Sequence, residues 1–179
     1  MFRTIKSNAR EDYDPDGRTG PKPTQYLDTL KYSMTGVEFG VSGNLTERIS
    51  LFGGAVFMES KILESVTPTE VGEDIANIAH RQFSLLGTYA YNEKLTLGAR
   101  VTYAGGRKLG SVSANGNTLP DYTTLDLLAT DKVSENAELQ FNVTNVADAT
   151  DYDSGYRSGS PFTYVAPGRE FSFNLKAKF

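Results

Sequence analysis

The side chains best suited to chemistry are few in this sequence, and they fall in predicted connections. His80 is the one histidine, there is no cysteine, and no combination of serine, histidine and acid, paired catalytic carboxylates or phosphate loop can be assembled. The basic run Gly105-Gly-Arg-Lys108 could face an anion, or it could pair with nearby carboxylates. His80 and Arg81 could contact a ligand, and they could equally form a satisfied pair at a rim. These residues favour binding over catalysis, and we predict no enzyme.

One acidic segment imitates the start of a calcium-binding loop. Asp12-Tyr-Asp-Pro-Asp-Gly17 spaces its carboxylates as the first half of such a loop does. The position of the closing bidentate glutamate is Pro23, however, and the prolines nearby disfavour the flanking helices. We therefore interpret the segment as an acidic, solvated loop, and we predict neither a metal site nor a cofactor.

Composition excludes several classes of protein. A net charge of −4, from 18 basic and 22 acidic residues, argues against a nucleic-acid partner, which requires a clustered basic face. A membrane-spanning helix needs roughly 20 apolar residues. The longest apolar run, Leu51 to Met58, is far shorter than that. Ten tyrosines, ten phenylalanines and 17 glycines are typical of strands and turns.

Almost every patterned segment has the period of two that is characteristic of a strand. In Lys94 to Tyr103, apolar side chains at alternate positions oppose lysine, threonine, glycine and arginine. Glu170 to Phe179 alternates in the same way up to its last residue. The best helical candidate, Glu70 to Ala79, is short and lies between strands. We predict an all-β, antiparallel fold with about eight strands: Phe2–Ser7, Lys31–Asn44, Ile49–Glu59, Gln82–Tyr91, Lys94–Tyr103, Tyr122–Asp131, Ala137–Val146 and Glu170–Phe179.

Long and short connections alternate along the chain. The long ones are Ala9–Leu30, Ser65–Ala79, Gly105–Asp121 and Asp148–Gly168. In an up-and-down sheet this alternation places every long loop at one end, as in outer-membrane barrels. A soluble sandwich or a lipocalin-like barrel with its apolar face turned inward would also alternate. Eight strands are also enough to close a free-standing small barrel. A soluble or small β-barrel binding module is therefore the alternative prediction.

Three segments form an ordered series of motifs. The first runs from Gly36-Val-Glu-Phe-Gly-Val-Ser-Gly-Asn-Leu-Thr-Glu through Leu51-Phe-Gly-Gly-Ala to Ser60-Lys-Ile. The second is Leu139-Gln-Phe-Asn-Val-Thr-Asn-Val-Ala-Asp, and the third is Tyr156-Arg-Ser-Gly-Ser-Pro-Phe-Thr-Tyr-Val-Ala-Pro-Gly-Arg169. Together these segments resemble motifs of TonB-dependent outer-membrane receptors, in particular those for ferric siderophores of the catecholate type. One departure is Asp148-Ala-Thr-Asp-Tyr, where the family pattern is basic.

The resemblance implies a transmembrane barrel of about 22 strands filled by an N-terminal plug. Residues 1–179 would be its C-terminal portion, without the plug and the earlier strands. It also implies an outer-membrane location, contact with membrane lipid, and an energy-transducing TonB complex that acts through the plug. Phe179, the terminal aromatic residue, would be recognised by the barrel-insertion machinery.

The ligand implied by the resemblance is a bulky anionic ferric siderophore, with iron present only as part of that chelate. Arginine would supply charge and aromatic rings would supply flat apolar surfaces for such a ligand. On this basis we predict six ligand-binding residues in loops and at the rim: Arg81, Arg107, Tyr156, Arg157, Phe162 and Tyr164.

Overall fold

The computed structural model describes residues 1–13, 25–109, 118–155 and 162–178. Its main feature is one antiparallel sheet of eight strands that follow one another in chain order. Two small hairpins lie in the connections between sheet strands. The sheet strands are β1 (Phe2–Tyr13), β2 (Gln25–Asn44), β3 (Ile49–Glu64), β4 (Arg81–Ala90), β5 (Leu95–Ala104), β8 (Tyr122–Ser134), β9 (Ala137–Thr144) and β12 (Glu170–Ala177); the hairpin strands are β6 (Arg107–Lys108), β7 (Thr118–Leu119), β10 (Tyr152–Gly155) and β11 (Thr163–Val165).

The eight predicted strands are confirmed, but the predicted length of the first long connection is wrong. Ala9–Leu30 was expected to be a loop, whereas β1 continues to Tyr13 and β2 already begins at Gln25. Within this stretch Ala9 pairs with Leu30 and Asp12 pairs with Tyr26. Ladder hydrogen bonds need only backbone groups, so pairing continues where the apolar alternation of the side chains has stopped.

The best helical candidate, Glu70–Ala79, is not a helix. The structure has only a short 3-10 turn at Pro68–Glu70, followed by turns and irregular backbone. Gly72 adopts a φ of 93°. That conformation is incompatible with a continuing right-handed helix. No helix among the described residues is long and apolar enough to cross a membrane.

Strand register places the apolar positions of neighbouring strands on one face, which we call the apolar face. Leu127, for example, pairs with Ala99 of β5 and with Val143 of β9. Large side chains on this face are exposed, including Phe39 at 63% and Phe173 at 70%. No second layer of described residues covers them, which is what a soluble sandwich would require. The apolar face therefore points out of the sheet, toward a non-aqueous neighbour.

The opposite face is polar and carries hydrogen bonds between strands. The Ser84 and Thr102 hydroxyls lie 3.2 Å apart, and the Asn142 amide donates to Ser172 at 3.1 Å. Arg100 donates to Asp126 through Nε at 2.9 Å and Nη2 at 2.6 Å. Within the described residues, the end strands β1 and β12 are each paired on one side only, so the sheet is open.

Candidate binding site at the loop end of the sheet

The long connections gather at one end of the sheet, as predicted from their alternation. We call this end the loop end; it comprises residues 65–80, the described parts of 105–121 and the described parts of 145–169. The short turns at 45–48, 91–94 and 135–136 lie at the other end. An antiparallel order without crossovers requires this separation, because consecutive connections must leave the sheet at alternate ends.

The loop of residues 65–80 is attached to the β1–β2 hairpin through Glu11. Its carboxylate accepts hydrogen bonds from the Ser65 hydroxyl at 2.8 Å, from the Val66 amide at 3.1 Å, and from the Thr29 hydroxyl. The unexpected length of β1 and β2 is what brings Glu11 to this position.

Asn77 joins the three loops that the structure describes at the loop end. Its backbone N–H donates to the Lys108 carbonyl at 2.8 Å, and its side-chain Oδ1 accepts from the Gly155 amide at 2.8 Å. Its Nδ2 donates back to the Gly155 carbonyl at 3.3 Å. The backbone of Asn77 has a φ of 62°. Asparagine tolerates this conformation better than other non-glycine residues do. Because of these bonds, the three loops form one connected unit.

A small apolar core lies beneath this junction. Ala79, Leu109 and Leu119 are exposed by only 1%, 6% and 4%, respectively, whereas many large apolar side chains on the sheet are exposed. Gly155 packs so closely that an added Cβ would overlap the Leu109 side chain. The loops are thus packed against one another rather than extended into solvent separately.

An ionic cluster flanks the core. Lys108 Nζ lies 3.1 Å from Glu73 Oε2 and 3.1 Å from Asp74 Oδ2, while His80 Nε2 lies 3.5 Å from Asp74 Oδ1. Hydrogen bonds to Asp74 and, to a lesser extent, to Glu73 raise the pKa of Lys108 above its usual range. The positive charge of Lys108 is therefore balanced within the protein.

Arg107 is arranged differently from Lys108. Its guanidinium carbon lies 5.7 Å from the centroid of the Tyr122 ring. This is a cation–π geometry. The Nε and Nη2 of Arg107 are enclosed and have no hydrogen-bond partner among the described residues. Leaving a buried donor unpaired costs about 1–3 kcal/mol, and more when the group is charged. Arg107 lines a pocket of about 340 Å³ together with Asp74, Ile78, His80, Gly106, Lys108, Thr118 and Leu119.

The predicted ligand-binding residues are only partly brought together. Arg81 is exposed and lines a different pocket, with His80, Phe57 and residues of β2. Phe162 and Tyr164 are exposed by 69% and 54% at the β10–β11 hairpin. Tyr156 and Arg157 lie outside the described residues. Of the four that the structure describes, Arg107 is the one in an enclosed setting, while His80 borders the pockets of both Arg81 and Arg107.

The last loop is anchored by Asn145, which is only 5% exposed. Its Nδ2 donates to the carbonyls of Ala149 at 2.9 Å and Pro167 at 3.3 Å, and its Oδ1 accepts from the Ala149 amide at 3.1 Å. The backbone N–H of Asn145 donates to Asp126 Oδ1 at 2.9 Å. Because Asp126 lies on the polar face, this hydrogen bond also holds the loop to the sheet. The sequence marks Asn142 and Asn145 as an asparagine-rich turn after a strand, but it does not predict that Asn145 anchors the loop or that Asn77 joins three loops. Asparagine at a strand end or in a loop is the one signal available, since it can adopt positive φ.

Asp148, the last residue of the second family motif, holds the entry to β12. Its Oδ1 accepts the Arg169 backbone N–H at 2.8 Å, and its Oδ2 lies 3.4 Å from Arg169 Nη2. These contacts, chiefly the backbone hydrogen bond, lower the pKa of Asp148 below its ordinary value of 3.8. An acidic residue therefore has a definite structural role in this loop.

A pH titration tests that role. The contribution of Asp148 to stability should be complete above pH 3.8 and should be lost as the pH falls through the lowered pKa of the folded state. Because the backbone amide is the main cause, Arg169→Ala should leave most of the pKa shift in place. The measurement is an NMR titration of the Asp148 carboxyl carbon. A return to the ordinary pKa in Arg169→Ala would show that the side-chain pair dominates instead.

Replacing Asn77 should release the loops from one another. In Asn77→Ala the Gly155 N–H loses its acceptor, and we expect local opening to become easier by about 2 kcal/mol. That corresponds to roughly thirtyfold faster hydrogen exchange at the Gly155 amide. Asn136→Ala, in an exposed turn at the opposite end, is the matched control. Equal exchange rates at Gly155 in the two variants would contradict this role for Asn77.

A sheet with an outward apolar face, a polar opposite face and long loops at one end defines the class of outer-membrane β-barrel proteins. The family model described as "TonB dependent receptor-like, beta-barrel" matches residues 3–146. The chain belongs to this family, whose members are located in the outer membrane. The membership predicted from the three sequence motifs is thereby confirmed.

Two relatives are described as receptors. The chain is 34% identical over 137 residues to the metal-pseudopaline receptor CntO of Pseudomonas aeruginosa, a match that covers 74% of this chain and 18% of that protein. It is 27% identical over 189 residues to the probable TonB-dependent siderophore receptor PiuA of Acinetobacter baumannii, covering all of this chain and 24% of PiuA. The chain thus spans less than a quarter of the length of either relative.

Solved structures of siderophore receptors share the fold. The crystal structure of PiuA matches 99% of this chain with a TM-score of 0.81 and 25% identity, and the match covers 25% of that chain. The ferric-catecholate import receptor Fiu of E. coli K12, in its closed form, matches 99% of this chain with a TM-score of 0.77. At 23% identity, the second match bears on the fold alone, and it covers 24% of Fiu.

Proposed function

We propose that this chain supplies the C-terminal barrel wall and long loops of a receptor that takes up ferric siderophores with energy from a TonB complex. The observation that carries the proposal is the match of nearly the whole chain to the siderophore receptor PiuA, in both sequence and structure. The relative CntO, a receptor for a metal chelate, supports the same class of cargo.

In this proposal the loop end captures the chelate. Arg81, Arg107 and Arg157 supply positive charge, which complements an anionic chelate. Tyr156, Phe162 and Tyr164 offer flat apolar surfaces to aromatic or aliphatic parts of the ligand. The apolar face contacts lipid, and the polar face borders the lumen, where a plug contributed by the remainder of a longer receptor would lie.

The proposed receptor transports its cargo without altering it, so no enzymatic step and no resident cofactor are involved. Iron enters only as part of the bound chelate. The TonB complex would act through the plug, and the barrel-insertion machinery would recognise Phe179, which lies outside the described residues. The acidic balance of the sequence, −4 overall, fits a proposal without a nucleic-acid partner.

Uptake of radioactive iron tests the proposal. Cells of the encoding bacterium, depleted of iron, should take up a ferric siderophore, and deletion of the gene should abolish that uptake. Uptake should also stop when the proton gradient that drives the TonB complex is dissipated. Binding of the chelate should persist after that treatment, because capture precedes energy transduction. Unchanged uptake of every ferric siderophore in a panel after gene deletion would contradict the function.

A further inference from the structure

Arg81 begins β4 on the apolar face of the sheet. Its partner across the sheet is Phe57 of β3, which in turn pairs with Val37 of β2. Side chains at alternate positions of a strand share a face, so Arg81 lies on the same side as Phe83 and Leu85. The Arg81 side chain is exposed and has no ion-pair or hydrogen-bond partner among the described residues. An unpaired cation therefore stands at the loop-end border of the apolar face.

The row of residues next to Arg81 marks the level of the membrane surface. Phe83 stacks on Tyr103 of β5, with ring centroids 5.3 Å apart, and the Tyr103 hydroxyl donates to Asp121 at 3.3 Å. Aromatic rings with a polar tip form girdles at both borders of the apolar band of outer-membrane barrels. Arg81 lies about 7 Å further along β4 toward the loop end, which is the level of the lipid head groups.

A groove runs from this level toward the middle of the apolar face. Ala55 of β3 pairs with Phe39 of β2 on one side and with Phe83 of β4 on the other. Neighbouring strands are about 4.8 Å apart, so the Cα atoms that carry the two rings are roughly 10 Å apart with only a methyl group between them. The resulting cavity of about 320 Å³ is lined by these three residues together with Gly40, Val41, Gly54, Ser84 and Leu85.

A single hydrocarbon chain fits this groove. Carbon atoms pack best at separations of about 3.5–4 Å, so a chain one carbon wide can rest on Ala55 between the two rings. The lining of the cavity is almost entirely apolar, and its volume has room for a stretch of chain rather than one methyl group. Members of this family lie in the outer membrane, where acyl chains surround the wall.

We propose that β2, β3 and β4 bind one membrane lipid with an anionic phosphate head group, whose acyl chain lies in the groove over Ala55 and whose phosphate contacts Arg81. A guanidinium donates paired hydrogen bonds to phosphate oxygens. A second cavity, of about 490 Å³, lies beside Arg81 and gives room for the head group. Glu59, which also lines that cavity, pairs with Thr35 one row beyond Arg81, so its charge repels the phosphate toward the groove.

The lipid site goes beyond the proposed function, because it does not depend on the cargo. It lies on the outer side of the wall, whereas the long loops and the polar face serve the chelate in the proposed function. Long loops of outer-membrane barrels are extracellular, so the lipid belongs to the outer leaflet. A lipid held by Arg81 links the end of β4 to that leaflet and fixes the depth of the wall in the membrane.

The test titrates the full-length receptor, purified in dodecyl maltoside, with two lipids and measures bound lipid by native mass spectrometry. Phosphatidylglycerol carries an anionic phosphate, and monogalactosyl diacylglycerol with the same acyl chains lacks it. The variants are Arg81→Gln, which removes the charge, and Ala55→Leu, which fills the groove with an apolar side chain. The matched controls are Arg48→Gln, in a short turn at the opposite end, and Ala99→Leu, on the apolar face where it pairs with Leu127.

The unaltered receptor should bind phosphatidylglycerol about fivefold more tightly than the galactolipid, which is the effect of one basic residue near an anionic head group. Arg81→Gln should remove that preference and change binding of the galactolipid by less than about twofold. Ala55→Leu should weaken both lipids by about fivefold, because leucine and the acyl chain compete for the same space. If Ala55→Leu does not fold, Ala55→Val is the second filling variant. Both controls should change less than about twofold.

Several results would overturn the lipid site. One is equal affinity of the unaltered receptor for the two lipids; another is an equal loss of lipid in Ala99→Leu and Ala55→Leu. Binding of ferric siderophores is measured on the same variants. If Arg81→Gln weakens chelate binding and leaves lipid binding unchanged, Arg81 serves capture alone and the lipid site is wrong. If the receptor binds no ferric siderophore of a wide panel but shows the expected lipid preference, the proposed function fails and the lipid site stands.

Discussion

Leu127→Arg should lower the free energy of unfolding in lipid vesicles by about 2–4 kcal/mol, the cost of arginine on the lipid face of a barrel near the bilayer midplane. Leu127 pairs with Ala99 and Val143 in the interior of the sheet, and its side chain is 43% exposed on the apolar face. In lipid, that exposure is contact with hydrocarbon. The measurement is urea-induced unfolding of the full-length receptor in vesicles.

Thr130→Arg is the matched control for Leu127→Arg. Thr130 lies on the same strand but on the polar face, where it pairs with Thr96 and Gln140. An arginine there meets water and polar groups, so we expect a change within about 0.5 kcal/mol. If the two variants lose stability equally, the assignment of the faces is wrong. If Leu127→Arg is as stable as the unaltered protein, the apolar face does not contact lipid.

Asn145→Ala should destabilise the last loop and β9 by about 3 kcal/mol or more, because each unsatisfied buried group costs about 1–3 kcal/mol. The substitution leaves two carbonyls and one amide without their partners. The backbone of Asn145 also has a φ of 48°. Alanine adopts this conformation less readily than asparagine does. Hydrogen exchange at the Ala149 amide reports the local effect, and urea unfolding in vesicles reports the global one.

Asn145→Gly separates the two causes, because glycine tolerates positive φ but lacks the amide group. If hydrogen bonding dominates, glycine should be nearly as harmful as alanine; if the backbone conformation dominates, glycine should restore most of the stability. Asn142→Ala, three residues earlier on the polar face, removes the hydrogen bond that Asn142 donates to Ser172 and the one that it accepts from Gln140. That loss should cost no more than about 1 kcal/mol. Equal effects of Asn142→Ala and Asn145→Ala would contradict the anchoring role.

The strands of the sheet could be predicted because each carries its own alternation. In β5 and β12 the apolar positions are strict, and the predicted bounds agree with the observed ones within the usual scatter at element ends. The ends of β1 and β2 could not be predicted, since Ala9–Leu30 has no apolar alternation and is held by backbone pairing and by Glu11. The hairpins β6–β7 and β10–β11 are too short to leave a periodic signal.

The candidate site, like the fold, could be predicted only in part. The family resemblance, together with residue type, predicts that arginines and aromatic rings in the long loops meet an anionic ligand, and strand order accounts for the position of the described ones at the loop end. Residue type did not indicate which arginine lies in an enclosed pocket: Arg81 is exposed, whereas Arg107 packs against Tyr122 with two nitrogens unpaired among the described residues. It also did not indicate that Lys108, the next residue, is balanced by Glu73 and Asp74.

The sequence by itself determined the fold class, the two faces of the sheet and the family, because side-chain alternation and ordered motifs are local properties of the chain. Only the tertiary structure decided that the apolar face points outward and that three distant loops meet at Asn77. The alternation of side chains is the same whether the apolar face packs against a protein core or faces outward. The direction of that face therefore depends on whether another part of the protein covers it. Contacts between loops depend on hydrogen bonds between residues as far apart as Asn77 and Gly155, which no local pattern records.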